Sequence, residues 1–179
     1  MSAPKLSSRQ IETLEAIEII NDLFSTEAGL TDVSEFMTNI ASTETQLGHL
    51  QSPVSYSPFQ IDPIGYFDIV QKANAGEGQT IQRATILNEL LRNLGYGNNF
   101  DVLSLSSDLD KIRDPLIGAG LARMILATKK EIIPNDIDGQ AEYWKKHWNT
   151  TAGAGTPEHF KKESKYFNDI IDQIIAGTP

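Results

Sequence analysis

The sequence predicts a single, mainly α-helical domain of about seven helices spanning residues 1–179. Three observations predict it. Capping residues recur just ahead of apolar runs, apolar residues repeat at three- and four-residue spacing, and only one short stretch alternates as a strand would. With 179 residues, 40% of them hydrophobic, the chain can bury one ordinary core. Neither an internal repeat nor a linker divides it.

The elements follow in order. Ser7 and Gln10 form a capping box ahead of Ile11, Leu14, Ile17 and Phe24, an apolar stripe at helical spacing. Asp32 and Glu35 form a second box ahead of a second helix. The stretch from Gly48 to Ile61 is rich in Pro and Ser and contains a Val54/Tyr56 alternation, so a loop or a small hairpin is expected there. Asp62-Pro63, Asp114-Pro115 and Thr156-Pro157 each place a cap residue before a proline at the first helical position. Leu87, Leu90, Leu91 and Leu94 line another helix, which Gly95 closes. Leu116 to Thr128 and Phe160 to Ile175 read as helices as well.

Composition narrows the function classes. The net charge of -9 argues against non-specific nucleic-acid binding, which needs a basic footprint. Without cysteine, disulfides and Cys-based zinc sites are excluded. His49, His147 and His159 lack metal-motif spacing, so a metal site is not expected. The glycine-rich Gly153-Ala154-Gly155-Thr156 has no following Lys-Ser/Thr and reads as a turn, not a phosphate loop. The N-terminal segment lacks a long apolar run, so a signal peptide and membrane insertion are not expected. A chain made in the cytoplasm, and delivered by something else if it works outside, is the expectation.

The second helix carries the chemical signal. Its stripe runs Val33, Phe36, Met37, Ile40, Ala41, and the next position in that spacing is Glu44. Periodicity leaves two readings. Glu44 can lie at the edge of the stripe and reach water, which the rarity of buried charges favours. Alternatively it is buried in the last turn before Gly48, where desolvation and the helix dipole both disfavour a negative charge. A carboxyl kept protonated near neutral pH is what a glycosidase needs to protonate a leaving oxygen.

The surrounding motifs decide between them. Glu44-Thr45-Gln46-Leu47-Gly48 resembles the "E-S-x-x-G" helix end of soluble lytic transglycosylases and goose-type lysozymes, with Thr45 in place of the usual Ser. Tyr56-Ser57-Pro58-Phe59-Gln60-Ile61 is similar to that group's "S-x-G-L-M-Q-I/V" segment at Ser57, Gln60 and Ile61, and departs from it at Pro58 and Phe59. Asp114-Pro115 to Ala122 resembles the "N-P-x-x-N-I-x-x-G-x-x-Y-L" helix, with the Asn missing. His147-Trp148-Asn149 stands in the region of "A-Y-N", within a stretch that looks like bacteriophage members.

The resemblance covers roughly residues 30–160. It implies a lysozyme-like fold and cleavage of peptidoglycan glycan strands between N-acetylmuramic acid and N-acetylglucosamine, without a cofactor. Glu44 would be the catalytic acid, with Ser57, Gln60 and Ile61 lining the saccharide groove. The family tyrosine often contacts the catalytic Glu, and here Trp148 stands at that place. Peptidoglycan is the implied partner of a monomeric chain, in phage lysis or in a virion. Two rivals stay open: a non-catalytic virion or wall-binding protein of the same fold, and a helical interaction module. The acidic net charge runs against a wall-cutting enzyme, because walls are often anionic.

Other residues carry two readings each. Asp62 reads as a helix cap before Pro63, and the resemblance to goose-type lysozymes also implies a second carboxylate there; the two roles are not exclusive. Tyr143, Trp144 and Trp148 either stack on sugar rings or belong to the core, since Trp144 and Trp148 are one helical turn apart. Asn149 completes the implied groove. The motifs do not choose between hydrolysis and transglycosylation.

Overall fold

A computed structural model describes residues 5–150 and 153–177; Met1 to Pro4 of the N-terminal segment and residues 151–152 of the stretch after Asn149 lie outside the described residues. The described residues form seven α-helices: α1 (Ser8–Ala28), α2 (Ser34–Thr45), α3 (Pro63–Asn74), α4 (Thr80–Asn93), α5 (Pro115–Ala127), α6 (Ile137–Trp144) and α7 (Pro157–Gly177). Short 3-10 turns join several of them, and α6 runs directly into a π-helical turn at Lys145–Asn149. Among the described residues there is no strand; the 48–61 segment is a loop with one isolated antiparallel bridge, Tyr56 to Ile61. No described helix is long and apolar enough to cross a membrane.

Local chemistry sets most helix starts. The Ser7 side chain accepts from the Gln10 N–H while the Gln10 side chain accepts from the Ser7 N–H at 2.9 Å, the expected reciprocal box. Asp62 caps α3 through Gly65, Asp114 caps α5 through Leu116 and Ile117, and Thr156 receives the His159 N–H at the head of α7. The second expected box is corrected. α2 begins at Ser34 with Val33 as its cap, and Asp32 accepts from the Ser34 N–H at 2.7 Å without capping the helix. The Val33 N–H is taken by the Asn21 side chain of α1, so a tertiary bond fixes this entry.

α5 is the central element. Eleven of its thirteen residues are buried, as expected of a helix apolar all round, and α1, α2, α3 and α4 pack against it. Two glycines make this possible: a Cβ at Gly118 would lie 2.3 Å from the Ser57 Cβ, and one at Gly120 would lie 2.5 Å from a Leu87 methyl. α7 covers α2 and α6 with Phe160, Ser164 and Phe167. On α1 the expected stripe is half right. Ile17 and Phe24 are buried, but Ile11 is 45% exposed, and the inner face includes Thr13 and Asn21. Both polar groups are satisfied there: the Thr13 hydroxyl donates to Arg9 O, and Asn21 also donates to Ile17 O.

Candidate active site

The α2 stripe delivers Glu44. Phe36, Met37, Ile40 and Ala41 are all buried, and Glu44 continues the same face into the last turn of the helix. The helix stops earlier than Gly48 suggested. Gln46 and Leu47 already adopt left-handed backbone (φ 53° and 58°), followed by Gly48 (φ 84°). Burial of the Leu47 side chain and the bonds from Gln46 N–H to Ser42 O and Leu47 N–H to Ala41 O hold this costly turn. Thr45 ties it to the next segment. Its hydroxyl donates to Pro58 O at 2.6 Å and accepts from the Gly48 N–H at 2.7 Å.

The 55–61 loop is built around Gln60. Tyr56 and Ile61 exchange N–H···O bonds of 2.8 and 2.7 Å, which forces residues 57–60 into a tight turn with Ser57 and Gln60 at positive φ. The Ser57 hydroxyl oxygen accepts from the Phe59 N–H, and the side chain sits in the space left by Gly118. The Gln60 amide then bridges: Nε2 donates to the Glu44 backbone carbonyl at 2.5 Å and Oε1 accepts from Ser55 Oγ at 3.0 Å. Filling the notch should unseat this loop. We predict that Gly118→Ala lowers stability by about 1–3 kcal/mol in thermal or urea denaturation, because the added methyl meets Ser57. Unchanged stability would show that the loop does not depend on close contact with α5.

The Glu44 carboxyl itself is partly buried, and its Oε1 accepts from Trp144 Nε1 at 2.9 Å. Trp144 is 1% exposed, packs on Phe160 with ring centroids 5.2 Å apart, and is fitted against Gly155, where a Cβ would fall 2.4 Å from the indole. Among the described residues no other side chain donates to this carboxyl, and no cation pairs with it. Burial pushes its pKa from 4.5 up to about 7, and the indole N–H opposes the rise without cancelling it. Desolvation is the larger effect because one neutral donor replaces the several waters a free carboxylate would hold.

The other expected site residues divide. Ser57, Gln60 and Ile61 lie in the loop braced on the end of α2. Trp148 joins them, donating its indole N–H to Phe59 O at 3.1 Å and leaving the contact with Glu44 to Trp144, four residues earlier. Asn149 accepts from Lys145 Nζ at 2.8 Å and packs against Gly153 and Gly155, so it braces the turn behind Trp144. Tyr143 is buried against Phe36, and its hydroxyl donates to Glu131 O. It lines a cavity of about 710 Å3 that Glu44 does not touch. Asp62 is exposed and its Oδ1 accepts from the Gly65 N–H at 2.6 Å, the geometry of a cap.

Sequence reasoning gave Trp144 no role at the acid. The one available signal was its two tryptophans a turn apart, since a buried indole needs an acceptor. Backbone strain marks the same place. Of the six non-glycine residues at positive φ among the described residues, Gln46 and Leu47 directly follow the helix end that carries Glu44, Ser57 and Gln60 shape the loop whose Gln60 amide holds the Glu44 carbonyl, and Thr150 follows the π-turn that carries Trp148. Such strain and π-turns concentrate at functional sites. No family model matches the chain, and no curated protein or solved structure matches it.

Proposed function

We propose that this chain is a lysozyme-like, bacteriolytic glycosidase of the lytic transglycosylase and goose-type lysozyme group. It would cleave peptidoglycan glycan strands between N-acetylmuramic acid and N-acetylglucosamine, in phage lysis or from a virion. The observation that carries the reading is a partly buried Glu44 carboxyl with a pKa near 7 and a single indole donor, on the helix end that resembles the family's catalytic motif.

The indole hydrogen bond supports one place for the proton. An indole N–H can only donate, so Oε1 remains an acceptor and the acidic proton sits on Oε2. Oε2 passes it to the glycosidic oxygen as the bond from that oxygen to the muramoyl anomeric carbon breaks. The resulting carboxylate then takes a proton from the incoming nucleophile. If this is the muramoyl 6-hydroxyl, an anhydro sugar forms; if it is water, a reducing end forms. Loss of the proton from Glu44 stops the first step, so activity should fall as pH rises through about 7.

Asp62 favours the first outcome, because its carboxylate is engaged as the α3 cap. Asp62→Asn should keep most of the activity, since Asn caps a helix about as well. The purified chain should clear a peptidoglycan suspension, and mass spectrometry should find muramoyl products lighter than hydrolytic ones by one water. No clearing removes the glycosidase reading. Reducing ends together with an inactive Asp62→Asn would make the enzyme a hydrolase that uses a second carboxylate.

A further inference from the structure

Two buried guanidiniums lie outside the site described above. Arg123 on α5 is 4% exposed and Arg83 on α4 is 8% exposed. A guanidinium carries five N–H donors. Arg123 uses one of them, from Nη2 to Thr31 O at 2.7 Å, and Arg83 makes one long bond of 3.4 Å to Ala127 O. The Nε of each is buried without a partner. Among the described residues neither forms an ion pair. The two are close enough for Arg83, after burial, to help hold Arg123 down to about 10, while Asp32 opposes this.

Arg83 has a structural reason to be there, because it faces the last carbonyls of α5 and its cation suits a helix C-terminus. That does not account for Arg123. A desolvated charge with unmet donors beside a second cation is costly, and a counter-anion is the usual remedy. Arg123 lines the cavity of about 710 Å3, whose volume is that of a small-molecule site. Lys129 lines the same cavity and forms no ion pair among the described residues, and Leu30, Val33, Leu126 and Ile133 supply apolar surface. Asp32, Glu35 and Glu131 line the cavity as well and would repel a second negative charge.

We propose that this cavity binds a small monocarboxylate with an apolar body, its carboxylate seated on Arg123 beside Lys129. The planar guanidinium matches a carboxylate fork, and the acids lining the cavity select a monoanion over a phosphate dianion. The site is independent of Glu44 and of the glycosidase reading.

Calorimetric titration of the full chain tests it with three probes: 4-methylpentanoate, its uncharged amide, and inorganic phosphate. The carboxylate should bind at least tenfold tighter than the amide and tighter than phosphate. Arg123→Gln should weaken carboxylate binding at least tenfold. Lys129→Gln, at a less buried position, should weaken it severalfold, and this variant decides if Arg123→Gln does not fold. Equal binding of the amide would reduce the cavity to an apolar pocket. Tighter phosphate binding, no binding of the carboxylate, or wild-type affinity in the folded variants would each overturn the proposal.

Discussion

Glu44→Gln is expected to abolish wall cleavage while making the folded chain more stable at neutral and alkaline pH. The amide keeps the shape of the side chain, and its Oε1 can still accept the Trp144 N–H, but it has no proton to give. A general acid contributes about 10²–10⁴ in rate, so residual activity should be at or below about one per cent. The stability effect follows from linkage. A carboxyl whose folded pKa is raised supports the fold fully below its unfolded value of 4.5, and loses that support as pH rises through about 7. Above that point the wild type holds a charged, poorly solvated carboxylate and the variant does not. The rise from 4.5 to about 7 bounds the advantage at about 3 kcal/mol. Urea denaturation of both proteins should therefore show a gap near pH 8 that closes by about pH 4.5. A constant difference across this range would mean that Glu44 is solvated in the folded chain.

What the sequence made legible was chemistry confined to a few neighbouring residues. The Ser7 box, the Asp62 and Asp114 caps and the Thr156 cap each need only a side chain within reach of its own helix, and all four stand as read. The α2 stripe was equally local and led to Glu44. Misreadings arose where a distant partner intervened. Asp32 lost the α2 cap because Asn21, on another helix, holds the Val33 N–H. Ile11 left the core because the inner face of α1 turns on Thr13 and Asn21, polar residues whose bonds a hydropathy pattern does not register. Gly48 looked like the terminator of α2, yet the buried Leu47 side chain drew the left-handed turn two residues earlier. The proposal of a lysozyme-like fold rests on motif resemblance alone, because spacing reports helices and not how they cross.

The tryptophans were illegible for a geometric reason, and they supply the sharpest test of the site. Spacing arguments assume 3.6 residues per turn, but Lys145–Asn149 is π-helical, so Trp148 does not repeat the position of Trp144. Each indole reaches a different acceptor: Trp144 the Glu44 carboxyl, Trp148 the Phe59 carbonyl. Replacing each by Phe should therefore have different consequences. Trp144→Phe keeps an aromatic ring beside Phe160 but removes the one donor that opposes the rise of the Glu44 pKa. The alkaline limb of the activity profile should move to higher pH. The maximal rate should fall roughly tenfold or more, because the proton is no longer confined to Oε2. Losing the indole hydrogen bond and part of the ring volume should cost about 1–3 kcal/mol of stability. Trp148→Phe releases the loop at Phe59 without touching the carboxyl. It should raise KM and leave the alkaline limb where it is in the wild type. If both variants share the wild-type limb, the Trp144 N–H does not control the Glu44 proton, and the placement of that proton on Oε2 fails. If Trp148→Phe shifts the limb and Trp144→Phe does not, Trp148 governs the carboxyl and Trp144 serves only the core.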